Sequence, residues 1–181
     1  MRGLARICVP HRALCSAAAQ RAPLLKSALP RAPRLLVPDH IGLPDYAGSG
    51  TPAALGPEVG DPAIKTAEQI ELMRATCALA RDVRELAASH VAAGVTTDEL
   101  DKIAFDHTVG AGAYPSPLNY HRFPKSICTS VNEVMCHGIP DSRPLQDGDI
   151  INIDVSTYLN GTKCYKQPQR GDRCVRLRLP R

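Results

Sequence analysis

Apolar positions recur along this chain with two different periods, and the switch between them marks its organisation. From Thr66 to Gly94 the chain reads TAEQIELMRATCALARDVRELAASHVAAG. Ile70, Met73, Cys77 and Ala80 fall on one helical stripe, and Leu72, Leu79, Val83 and Leu86 widen it. The spacing predicts a long helix with one broad buried face. Thr66 and Gln69 have capping-box spacing, and Gly94 suits the position just past the end. His90 reads as a surface residue facing the end of the helix dipole. The grammar repeats over TTDELDKIAFDHTVGAGA, where Thr96 and Glu99 offer a second box. Leu100, Ile103 and Ala104 supply its buried side, and Gly110 and Gly112 end it.

YPSPLNYHRFPKS, with three prolines and little periodicity, reads as a loop. The period then changes. SICTSVNEVMCHG and DIINIDVSTYLNG carry the β-branched residues of strands. In the second, Ile151, Ile153 and Val155 alternate with Asn152, Asp154 and Ser156, so the two sets face opposite sides of a sheet. Asn160-Gly161 is a strong hairpin signal. Helices over a twisted, mainly antiparallel sheet make an α+β fold.

Charge divides the chain into parts. Residues 1–38 hold seven Lys/Arg and no acid, residues 39–161 hold eight basic and seventeen acidic side chains, and residues 162–181 hold seven basic side chains and one acid. The net +4 therefore describes basic ends on an acidic body. Aromatic residues are 4% and Trp is absent, so base-stacking platforms are poorly supplied and nucleic acid is not an expected partner. No stretch reaches the roughly 18 apolar residues of a membrane span. Seven cysteines form no even, regular framework and read as reduced intracellular thiols. The Arg-rich, acid-free leader over 1–38 has the marks of a mitochondrial transit segment. Residues 39–62 read as a Pro/Gly-rich linker, 63–161 as the ordered domain, and 162–181 as a basic, disordered tail.

Two polar residues stand out in the strand region. Asp154 lies between Ile153 and Val155. Two readings are open for it: a metal ligand on a rigid strand, or a carboxylate on the wet face of an antiparallel sheet. A hairpin at Asn160-Gly161 would return a second strand beside it. His137 is held between Cys136 and Gly138, with Pro140 beyond. It reads either as a strand-end imidazole projecting into a cleft to bind substrate or move protons, or as a structural histidine. Cys136 reads as a small buried residue. The cysteine and histidine separations match no short-spaced zinc module.

Four features occur in fixed order: Tyr114-Pro115-Ser116-Pro117, Phe123-Pro124-Lys125-Ser126, Cys136-His137-Gly138-Ile139-Pro140 and Asn152-Ile153-Asp154-Val155. Together they resemble the type I methionine aminopeptidases, and with the leader most of all the mitochondrial form. The likeness runs back to about Asp61. It implies part of a pita-bread fold and removal of the N-terminal methionine of nascent or imported polypeptides. It also implies two divalent metal ions (Co, Mn, Fe or Zn) holding the attacking water. On it, Asp154 matches the first metal ligand and His137 the histidine that contacts substrate near the scissile amide. Tyr114, Pro115 and Cys128 would line the methionine side-chain pocket.

The likeness fades after Gly161. The family's metal-bridging aspartate would fall at Tyr165, Asp172 comes seven residues later, and Pro168 would interrupt a return strand. The expectation is a truncated N-terminal half of such an enzyme, inactive alone. The alternative is a non-catalytic fragment acting as a binding or regulatory module.

Overall fold

The computed structural model describes residues 33–52, 64–164 and 174–176. The leader up to residue 32, and with it most of the transit-like segment, lies outside the described residues, as do Tyr165, Pro168 and Asp172. Among the described residues no helix is long and apolar enough to cross a membrane.

Both capping boxes form. Thr66 starts α2 (Ala67–Ser89), accepting the Gln69 amide while the Gln69 side chain accepts the Thr66 amide. Thr96 does the same with Glu99 at the start of α3 (Thr97–Gly110). Each such cap stabilises its helix by about 1 kcal/mol. α2 stops earlier than its apolar pattern, at Ser89. Gly94 instead occupies a left-handed turn and donates its amide to Leu145 O at 2.8 Å. His90 is exposed, as expected. The buried face of α2 begins at Thr76 and continues through Ala80, Val83 and Ala87, while Ile70 and Leu72 on its first turns remain exposed.

The strands form two antiparallel three-stranded sheets. One has the order β2 (Cys128–Val131), β3 (Ile150–Asp154), β6 (Cys174–Arg176); the other has β1 (Tyr114–Pro115), β4 (Thr157–Leu159), β5 (Thr162–Cys164). Asn160 and Gly161 both take positive φ between β4 and β5, the turn their pairing predicts. Ile151, Ile153 and Val155 point inward and alternate with half-buried partners. They meet Ala80, Val83, Ala87, Leu100, Ala104, Ile127 and Leu145 in the main core. Thr157 Oγ1 donates to Thr76 O at 3.2 Å, tying β4 to α2.

Five expectations are corrected. Asp154 is the last residue of β3, not mid-strand, and β5 returns beside β4 rather than beside it. The chain passes from one sheet to the other at Val155-Ser156. β2 ends at Val131, seven residues before Gly138, because Asn132 turns left-handed at φ +54°. Its side chain is held there by Asp149 Oδ1 and the Ile150 amide. The supposed linker is part of the body up to residue 52. Ile41 and Tyr46 are 3% and 1% exposed, and they pack with Ala47, Phe105, Tyr114 and Leu118 in a second core cluster. Finally, part of the tail read as disordered forms β6, paired with β3 from Ile150 to Asn152.

Candidate functional site

The cavity lies where the two sheets meet. Cys128 and Asp154 are direct cross-strand partners, so their side chains share one sheet face. Two residues on, Ser156 lies on the same side, and its carbonyl accepts the Ser116 amide at 2.9 Å. The loop from Ser116 to Pro124 forms the opposite wall. The cavity is open to one side and has a volume of about 860 Å³. Cys128, His137, Ile139, Asp154, Tyr120 and Phe123 all line it.

His137 reaches the cavity from a loop, not from a strand end. Thr129 donates its amide to Gly138 O at 2.9 Å, and Gly138 donates to Ser130 Oγ at 3.2 Å. The loop thus lies directly against β2. A Cβ at Gly138 would stand 2.1 Å from Thr129 O, so only glycine permits this approach. His137 is at φ +52°, a conformation that costs a non-glycine residue about 1–3 kcal/mol and persists where its surroundings over-determine it. Beyond it, the Asp98 amide donates to Asp141 O, and Thr97 Oγ1 accepts the Asp141 amide. Thr96 bridges Pro144. The N-terminus of α3 therefore anchors the His137 loop.

α3 also anchors the chain leading into β2. Asp101 accepts the amides of Ser126 at 2.7 Å and Ile127 at 3.1 Å, just ahead of Cys128. Burial pushes its carboxyl up to about 6, against those two bonds and the Lys125 charge, which pull it down. The Cys128 thiol is pushed up to about 12, first by burial, then by the negative charges of Asp154, Cys136 and Asp101. Without a cation beside it, Cys128 is a neutral thiol and a soft, apolar part of the wall. Cys136, expected to be buried, is exposed, because the loop turns outward at Met135, which is 94% exposed.

Cys128, His137 and Asp154, separated by up to 26 positions in the sequence, thus share one cavity. Tyr114 and Pro115 do not line it. Tyr114 faces the second core cluster, where its hydroxyl donates to Leu118 O at 2.6 Å. The pocket is instead furnished from the same loop by Tyr120 and Phe123, and by Tyr46 from far upstream. The aromatic content of the loop was a signal for the first two. Nothing local in the sequence marked Tyr46, because its place depends on a contact across about seventy residues.

Asp154 is the only carboxylate among the described residues that line the cavity. Among the described residues no group of three or more His, Cys, Asp or Glu is placed so that it could hold a metal ion. These residues supply one hard carboxylate ligand and do not by themselves fit two divalent ions.

The model of metallopeptidase family M24 matches residues 71–165. Methionine aminopeptidase 1 of Saccharomyces cerevisiae is 49% identical over 139 residues, covering 76% of this chain and 36% of that protein. The Homo sapiens protein named "Methionine aminopeptidase 1D, mitochondrial" is 52% identical over 126 residues, covering 69% of this chain and 36% of its own length. A relative from Arabidopsis thaliana, 57% identical over 129 residues (71% of this chain, 34% of that protein), is named chloroplastic. The crystal structure of methionine aminopeptidase from Rickettsia prowazekii superposes with a TM-score of 0.54 at 45% identity, covering 55% of this chain and 40% of that one. The chain spans about a third of the length of the curated relatives it matches.

Proposed function

Starting from a chain that belongs to metallopeptidase family M24, with the pita-bread fold over about half its length, we propose that the cavity receives the N-terminal methionine of a polypeptide. The observation that carries this is the convergence of Cys128, Tyr120, Phe123, His137 and Asp154 on one cavity. Cys128, Tyr120 and Phe123 offer a polarizable, partly aromatic lining, which suits a thioether. His137 lines the same cavity from the loop beside β2, with an imidazole able to hydrogen-bond the first peptide amide. Asp154 provides the negative charge that a divalent ion or the free α-ammonium group requires. The family is one of metallopeptidases, which implies divalent metal, and Asp154 is the residue of this chain we assign as a ligand.

With one such ligand on the described wall, the second reading, binding without turnover, is the one we favour for this chain alone. Titration calorimetry of the whole chain with a Met-Ala-Ser peptide and an Asp-Ala-Ser control tests the pocket. We expect the methionine peptide to bind more tightly, by about tenfold; equal binding would remove the pocket reading. Added cobalt or manganese should produce no released methionine. Release abolished by Asp154→Ala would instead show a competent enzyme.

The relatives named mitochondrial and the acid-free leader support import into mitochondria. A fluorescent reporter fused after residue 38 should colocalise with that organelle, and diffuse cytosolic signal would count against it.

A further inference from the structure

One wall of the cavity comes from outside the span matched by the M24 family. α1 (Tyr46–Ser49) lies more than twenty residues before position 71, yet Tyr46 lines the cavity. A four-residue helix has no stability of its own, so its shape must be imposed by what it touches. What it touches is the Ser116–Phe123 loop.

That loop is conformationally demanding. Asn119, His121 and Arg122 all have positive φ, at +61°, +47° and +64°. Internal bonds close it, among them the Asn119 amide to Phe123 O at 2.8 Å. Three left-handed non-glycine residues in four positions persist only where the surroundings fix them. The fixing contacts come from α1. Tyr46 Oη donates to Ser116 O at 2.7 Å. Asn119 Nδ2 donates to Ala47 O at 2.8 Å and lies 3.4 Å from both Tyr46 O and Gly48 O. Tyr46 O already accepts the Gly50 amide at 2.8 Å, whereas the Ala47 and Gly48 carbonyls lie at the helix end, where intrahelical donors run out. The Tyr46 ring meets Tyr120 edge-on, with centroids 5.1 Å apart. At Gly50, φ +77°, a Cβ would come within 3.0 Å of Arg122 Cγ. Helix and loop therefore complete each other's hydrogen bonding, and the loop presents Tyr120 and Phe123 to the cavity.

We propose that α1 is a latch which sets the conformation of the loop wall, and through it the size of N-terminal side chain the cavity accepts, with Tyr46 and Asn119 as its positioning residues. The specificity clause rests on the methionine-pocket reading; the latch itself does not.

The test is hydrogen–deuterium exchange on the full chain, for wild type, Tyr46→Phe and Asn119→Ala, paired with calorimetry using Met-Ala-Ser and Phe-Ala-Ser peptides. Tyr46→Phe keeps the ring and removes only the bond to Ser116. Amides over 118–123 should exchange at least about fivefold faster in both variants, while those of α2 and α3 stay unchanged. The preference for the methionine peptide should fall by about threefold or more. Exchange over 118–123 unchanged in both variants would overturn the latch. So would equal acceleration of α2 and α3, which would make Tyr46 and Asn119 general supports of the fold. Faster exchange with an unchanged peptide preference would overturn the specificity clause. A wild type that binds neither peptide would overturn the methionine-pocket reading, and the exchange data would still decide the latch.

Discussion

Asp101 is 1% exposed, and it accepts two backbone amides immediately before Cys128. Burial raises its carboxyl from 3.8 to about 6, with Lys125 and the two amides opposing that rise and Asp98 adding to it. In the native state the group therefore holds its proton at pH values where the unfolded chain has lost it. Its contribution to stability is greatest below about pH 4 and declines as pH rises to about 6, by up to about 3 kcal/mol. Asp101→Asn, which cannot ionise, should remove that decline. Urea midpoints of wild type and variant, measured between pH 4 and 7, should separate along the profile. Parallel profiles would show that Asp101 does not titrate in this window. This residue was legible only as one more polar position on α3. Its burial follows from the segment 125–127 lying across the helix, which no local pattern announces.

At the scale of elements, the site depends on how the connection from β2 to β3 is folded. Asp149 is the staple at its base. Burial opposes its ionisation, but bonds from Arg143, Asn132 and Gln146, with the Arg143 charge, outweigh that and hold its carboxyl below the ordinary range. Between Asn132 and Asp149 the chain returns along β2, and Gly138 is the point of closest approach. Gly138→Ala should cost about 1–3 kcal/mol through overpacking against Thr129, read as a lowered urea midpoint. His137 should move with it, seen as shifted imidazole resonances in NMR spectra. An unperturbed spectrum and midpoint would mean that the loop has slack the close contact denies. The helix starts were legible here because a capping box lies within four consecutive residues. The end of β2 was not, because Asn132 leaves the strand in response to Asp149, seventeen residues away.

For the whole molecule, the body extends further toward the N-terminus than composition suggests. Ile41 is 3% exposed in the second core cluster. Ile41→Ala in the full chain should destabilise by about 2–4 kcal/mol, measured by urea unfolding. A change within about 0.5 kcal/mol would return this segment to the status of a surface strap. Prolines and glycines between residues 38 and 52 read as a linker because they interrupt any period. Three apolar anchors among them are enough to bury the segment once a receptive surface exists.

What the sequence determined by itself is what short-range chemistry controls. The two capped helices, the Asn160-Gly161 turn and the alternation that aims Ile151, Ile153 and Val155 inward and Asp154 outward all follow from neighbours a few positions apart. His137, Cys128 and Asp154 were also legible as site candidates, through motif likeness. The tertiary structure decided which candidates meet. Tyr114 turned into the core while Tyr120 and Phe123 turned into the cavity, because one of two possible faces was already filled by Phe105 and Leu118. Tyr46 reached the site through contacts some seventy residues away. Such choices are made by competition for buried space and for hydrogen-bond partners, and that competition exists only after the elements have packed.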